Sequence, residues 1–179
     1  QECSNNLENK TKPKVTKCKS KPYTKISFKP DYKRLNISAM SEDMLALLKR
    51  RVYDIAAVTD KSIKVKWNGQ VIPTRHFQQY IDLYIGSKSE TKRVHEQYSE
   101  RWEYAVCLSP SDEFKQISFV NGIYTSLGGT HISYIINQIV TAITKRIQEK
   151  HKKLNIKKIF VKNQLMIFLK NLRHQKVML

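Results

Sequence analysis

The sequence predicts an α/β or α+β fold in which a mixed sheet packs against helices, and three observations point to it. Stretches of period-two alternation are interspersed with stretches of helical spacing. Some adjacent strands are joined by a hairpin and others by a helix, and a chain of 179 residues that is 40% apolar can bury a sizeable core.

Gln1 to Pro22 is rich in Lys, Asn, Ser and Thr with almost no apolar periodicity, and reads as a flexible loop. Tyr23, Lys25 and Ser27 then alternate with Thr24, Ile26 and Phe28, a half-buried strand that Pro30 and Asp31 stop. Ser41 is placed to cap a helix whose first turn carries Glu42 and Asp43, where the positive end of the helix dipole favours acids. Met44, Leu48, Val52 and Ile55, widened by Leu45, form its apolar face, and Lys49, Arg50 and Arg51 its solvated side.

Ile63, Val65 and Trp67 alternate with Lys64 and Lys66 before Asn68-Gly69, which supplies the positive φ angles of a tight hairpin returning through Val71 and Ile72. Phe77, Tyr80, Ile81 and Tyr84 fall on one face of a short helix ending near Gly86, an aromatic stripe that reads as core. Ser87 to Arg93 is a polar connection, and Arg101 to Leu108 a strand with Trp102, Tyr104, Val106 and Leu108 on one side. Gln116 to Tyr124 makes another strand. Gly128-Gly129 breaks the pattern, and Thr130 caps the longest helix, striped by Ile132, Ile135, Ile136, Ile139, Val140, Ile143 and Ile147. A basic linker, Lys150 to Lys158, leads to an apolar run from Leu165 to Leu169 that fits strand or helix.

The net charge of +18 demands counterions or an acidic partner, and nucleic acid is the first candidate, although ribosomal, heparin-binding and membrane-surface proteins share such a balance. Cys3, Cys18 and Cys107 are odd in number and widely spaced, which fits free thiols in a reducing compartment. No apolar run approaches the roughly 18 residues of a membrane span, and no signal pattern opens the chain, so a soluble intracellular protein is expected.

No nucleophile has a base set beside it by the local sequence, and no catalytic residue is assigned. His76, His95, His131, His151 and His174 lack the spacing of metal ligands, and there is no G-x-x-x-x-G-K-[ST] phosphate loop. Gly128-Gly129-Thr130 could hold an anion at a helix N-terminus, but two glycines in such a turn more often supply unusual backbone angles. The sharper candidate is basic. Lys145 and Arg146 are followed by Lys150, Lys152, Lys153, Lys157 and Lys158 with Glu149 the lone acid, a cluster able to track a phosphate backbone without reading bases, or simply a solvated surface.

The run Gln116-Ile-Ser-Phe-Val-Asn-Gly-Ile-Tyr-Thr-Ser-Leu-Gly-Gly-Thr-His131 resembles the transducer signature of type IIA DNA topoisomerases, in which Q-I-S-F-V-N-x-I leads through T-x-x-G-G-x-H into a long helix. Tyr23-Thr-Lys-Ile-Ser-Phe-Lys-Pro-Asp31 is similar to the last strand of that family's nucleotide-binding domain, and Leu48-Lys-Arg-Arg-Val-Tyr-Asp-Ile-Ala56 to the helix after it. Asn68-Gly69, Tyr80 to Tyr84, Arg101-Trp102-Glu103 and Ile167-Phe168 follow in the family's order. The resemblance covers about Tyr23 to Leu172, and the V-Y-D-I and R-W-E pieces favour the eukaryotic, homodimeric DNA topoisomerase II branch over the bacterial gyrases.

The resemblance implies a fold and a division. Residues 1–69 would be the C-terminal part of a GHKL-type ATPase domain, and residues 70–179 a transducer truncated at its C-terminal end. The transducer would be ribosomal protein S5 domain 2-like, with a mixed sheet and helices on one face. It further implies a nuclear, homodimeric parent enzyme that uses ATP and Mg2+ to pass one double-stranded DNA through another. The family's ATP-binding residues would lie before Gln1, and its phosphate-sensing S-Q-T-K segment is replaced by Leu172-Arg-His-Gln-Lys-Val-Met-Leu179. This chain alone is therefore expected neither to bind ATP well nor to cut DNA. Lys150, Lys152 and Lys153 match the family's lysine-rich, DNA-facing loop, and Lys157 and Lys158 extend it. The competing readings are a stand-alone basic nucleic-acid-binding module without enzymatic activity and, behind it, an S5-like ribosomal protein.

Overall fold

The computed structural model describes residues 1–5 and 7–171, so the departure from the family expected over Leu172 to Leu179 lies outside the described residues. The chain divides into two compact units, Gln1–Met40 and a second beginning at Ser41. In the first, β1 (Cys3–Ser4) pairs antiparallel with β2 (Asn9–Lys10), closed by the Glu2 N–H donating to Thr11 Oγ1 at 2.7 Å. The stretch expected to be wholly irregular thus opens with a short ladder. Tyr23 to Phe28, expected as a strand, belongs to none, and Ile26 and Phe28 are exposed. Alternation becomes a strand only where a neighbour takes up the backbone hydrogen bonds and one face is covered. Neither is provided among the described residues of this unit.

The second unit starts as the sequence dictates. Ser41 Oγ accepts from the Met44 N–H at 3.2 Å and opens α1 (Glu42–Val58). The buried face is a different one from that expected: Asp54, Ala56, Ala57 and Val58 are buried, whereas Leu48 and Ile55 are exposed. The last turns of α1 enter the core through Ala57 and Val58, with Tyr53 packed against them, and the stripe through Leu48 and Ile55 lies on another face of the helix. Next comes the hairpin of β3 (Lys66–Trp67) and β4 (Gln70–Val71), turned by Asn68 and Gly69 at φ 49° and 80°. α2 (Phe77–Ile85) begins at His76, whose Nδ1 accepts from the Gln79 N–H, while Gln79 Oε1 accepts from the Arg75 N–H. This reciprocal pairing satisfies donors that a helix start leaves free.

The remaining elements build one sheet and its second cover. They are β5 (Arg93–Ser99), β6 (Trp102–Leu108), β7 (Lys115–Val120), β8 (Ile123–Tyr124), α3 (Thr130–Lys150), α4 (Lys158–Asn163) and β9 (Leu165–Asn171). The strand order is β5-β6-β9-β7-β8, antiparallel throughout except for the parallel pair β7 and β9. The expected mixed sheet and α+β class are both present.

Several elements differ from expectation. β5 was hidden because it is a polar edge strand with little buried surface. The single strand foreseen over Gln116 to Tyr124 is two, folded back at Asn121 and Gly122 with φ 52° and 76°. Gly129, not Thr130, is the N-cap of α3, and it offers no side-chain bond. The basic linker ends in α4, and the ambiguous apolar run is the central strand.

Two cores explain that ambiguity. Met166 and Phe168 join Ala57, Val58, Phe77, Tyr80, Ile81, Ala105, Cys107, Ile117 and Phe119, whereas Leu165, Ile167 and Leu169 join Ile132, Ile136, Val140 and Val161. A central strand covered on both faces loses its polar alternation. Helices on one face is therefore correct for α3 and α4, while α1 and α2 cover the other face. Fully burying a side chain such as Phe119 or Phe168 contributes roughly 1.5–3 kcal/mol.

Candidate nucleic-acid interface and the signature turn

The run from Gln116 to His131 closes on itself. Thr125 N–H donates to the Ser118 carbonyl at 2.8 Å, and Thr125 Oγ1 donates to that same carbonyl at 3.0 Å. His131 Nε2 lies 3.2 Å from both Thr125 Oγ1 and Ser118 Oγ. Gln116 Nε2 donates to the carbonyls of Thr125 and Ser126, and its Oε1 accepts from Ser118 Oγ at 2.7 Å. Ser118 is fully buried, so its hydroxyl must be bonded within the protein. Gly129 sits at φ 149°, and a Cβ there would come within 3.1 Å of the His131 ring. The glycines and polar residues of the signature thus fix the angle at which α3 leaves the sheet.

α1 is pinned to the same hairpin. Arg51 Nη2 donates to the Gly122 carbonyl at 2.9 Å, and the Arg50 guanidinium lies 5.1 Å from the centre of the Tyr124 ring. Arg51 Nη1 is buried without a hydrogen-bond partner, 3.9 Å from Asp54 Oδ2. Asp54 itself is buried and accepts from the Tyr80 hydroxyl at 2.7 Å, which in turn meets the Tyr84 hydroxyl at 2.9 Å. Burial first, then the hydrogen bond to Asp54, pushes the Tyr80 phenol far above its ordinary range. Lys49, Arg50 and Arg51 are expected from charge spacing on a solvated side. Two of the three instead grip the β7–β8 turn, and charge spacing alone held no signal for that.

The lysines lie at the far end of α3. Lys150 is the last helical residue, His151 the C-cap, and Glu149, Lys150, His151, Lys152, Lys153 and Leu154 line one surface concavity. The His151 N–H donates to the Ile147 carbonyl and the Leu154 N–H to the His151 carbonyl, both at 2.8 Å, so the corner is a defined turn. Lys157 caps α4 and Lys158 is its first residue. All five lysines are exposed, but Lys158 Nζ donates to Thr141 Oγ1 at 3.0 Å and is drawn back onto α3. The structure therefore groups Lys150, Lys152 and Lys153 at one corner and sets Lys158 apart. Lys145, one turn earlier, is 4.0 Å from Glu149.

Among the described residues no group of three or more His, Cys, Asp and Glu side chains could hold a metal, and no helix is long and apolar enough to cross a membrane.

The same architecture occurs in a solved structure, the ATPase region of Saccharomyces cerevisiae topoisomerase II, with a TM-score of 0.71 and 36% identity over 80% of this chain and 36% of that one. The sheet, its two helical layers and the signature turn thus define a module of the type II topoisomerase ATPase region. The chain belongs to the DNA gyrase B family, which matches residues 76–176. It is 43% identical to DNA topoisomerase 2 of Arabidopsis thaliana over 171 residues and 42% identical to that of Pisum sativum over 176 residues, covering 92% and 94% of this chain. It spans 12% of the length of each.

Proposed function

We propose that this chain is the lever segment of an ATP-dependent type II DNA topoisomerase, relaying ATP binding and hydrolysis in the parent protein to the passage of one DNA duplex through another. One observation carries the reading. α1, the β7–β8 turn, the signature turn and α3 form an unbroken series of hydrogen-bonded and packed elements that ends at the exposed Lys150, Lys152 and Lys153. A series of that kind transmits a displacement, and nothing in it sets up a reaction.

The lysine corner is the part that meets double-stranded DNA, through phosphates and without base reading, with Lys157 extending it. The parent is a nuclear homodimer that uses ATP with Mg2+, and the boundary between its nucleotide-binding and transducer domains falls near Gln70. The decisive experiment is ATP-dependent relaxation of supercoiled DNA by the purified full-length parent. Relaxation that proceeds equally without ATP, or none at all under conditions where the protein is folded, would remove this reading.

A further inference from the structure

We propose that Arg51 is the coupling residue of this lever, holding the β7–β8 turn to α1 so that the state of α1 sets the position of the lysine corner; this rests on the topoisomerase reading above. Three observations support it.

The first is reach. Arg51 and Gly122 are 71 residues apart in the chain, and this hydrogen bond joins the helix before the proposed domain boundary to a strand turn after it. Gly122 also has a φ of 76°, and a Cβ there would touch Val58 of α1 at 3.6 Å, so the turn lies directly against the helix.

The second is incompleteness. Arg51 Nη1 is buried without a hydrogen-bond partner, and its distance of 3.9 Å to Asp54 Oδ2 is too long for a hydrogen bond. A buried donor left unsatisfied is costly, and a movement of about 1 Å toward the carboxylate would satisfy it. Asp54 is held in place for that by the Tyr80 hydroxyl. An arrangement closed on Asp54 therefore lies within about 1 Å of the open one seen here.

The third is continuity. From Gly122 the chain runs through β8 to Thr125, whose hydroxyl meets Ser118 and His131 at the start of α3. α3 is a 21-residue helix, a stiff arm of about 30 Å, and its last residue is Lys150. A small rotation at the turn is thereby carried to the lysine corner.

The test uses the full-length parent and compares DNA-stimulated with basal ATP turnover in Arg51→Met, in Lys150→Ala/Lys152→Ala/Lys153→Ala, and in their combination. Arg51→Met is expected to lower the stimulation roughly 2- to 30-fold, the range that coupling networks support, with basal turnover and the salt dependence of DNA binding unchanged. The combined variant should lose less than the product of the two separate losses. Intact stimulation in Arg51→Met, or losses that multiply, would overturn the proposal.

Should the unmutated parent show no DNA-stimulated turnover, the topoisomerase reading fails by itself, and hydrogen exchange on the same proteins decides the joint. Faster exchange confined to Gly122 through His131 supports it. Unchanged exchange there, or equal loosening of β6 and β9, would make Arg51 an ordinary surface or stabilising residue and end the proposal.

Discussion

His131 Nε2 stands 3.2 Å from Ser118 Oγ, joining the first turn of α3 to the interior of β7. The two residues belong to one family signature, and their contact gives that signature a physical reason. A buried hydroxyl at Ser118 needs partners, and His131, Thr125 and Gln116 supply them.

Ser118→Ala is therefore expected to leave Gln116, Thr125 and His131 short of a partner and to lower stability by about 1–3 kcal/mol. Urea denaturation checks it. His131→Ala should cost less, because Ser118 keeps its bonds to Gln116 and Thr125, and an order reversed between the two variants would contradict the network.

Tyr80 joins α2 to α1 through Asp54. Its phenol is raised in the folded state by burial and by that hydrogen bond, so the native protein keeps a proton that the unfolded chain loses above about pH 10. Stability contributed by this linkage is complete below that pH and declines as pH rises through it. Tyr80→Phe should cost about 1–3 kcal/mol at neutral pH and flatten the decline on the alkaline side. Thermal denaturation followed across that pH range measures both effects.

The sequence made the elements with strong local chemistry legible: the Ser41 cap, the Asn68-Gly69 turn, the aromatic face of α2 and the isoleucine stripe of α3. What it hid depended on partners distant in the chain. β5 is polar because it is an edge, β9 lacks alternation because both its faces are covered, and Tyr23 to Phe28 alternates without a neighbour to pair with. The lysine corner was readable as a charge run, since its residues are adjacent in the chain. Arg51 was unreadable, because its carbonyl partner lies far along the chain.

The three thiols should separate cleanly. Cys3 and Cys18 are exposed and Cys107 is buried. Hydrogen bonds from Ser20 hold the Cys18 thiol below its ordinary value, whereas burial raises that of Cys107 against the opposing charge of Arg93. Iodoacetamide at neutral pH is expected to alkylate Cys18 first and to spare Cys107 until denaturant is added. Peptide mass spectrometry over a time course reads the order, and early labelling of Cys107 would contradict its place in the core.

The lysine corner yields the most quantitative expectation. Each phosphate contact releases counterions, so its loss lowers the slope of log affinity against log salt by about 0.9. Lys150, Lys152 and Lys153 are exposed around one turn, and replacing all three by Ala should reduce the slope by roughly two to three units. The same replacement should weaken DNA stimulation of ATP turnover in the parent and leave basal turnover nearly unchanged. Lys158 provides the internal control. Its ammonium group is held by Thr141 on α3, so Lys158→Ala should change the slope by less than about half a unit, well under one full contact. Fluorescence anisotropy with a labelled duplex, titrated at several salt concentrations, separates the cases. An unchanged slope in the triple variant would make the corner ordinary solvated surface, and a full unit lost in Lys158→Ala would mean that the Thr141 contact yields to DNA and that the interface extends onto α4.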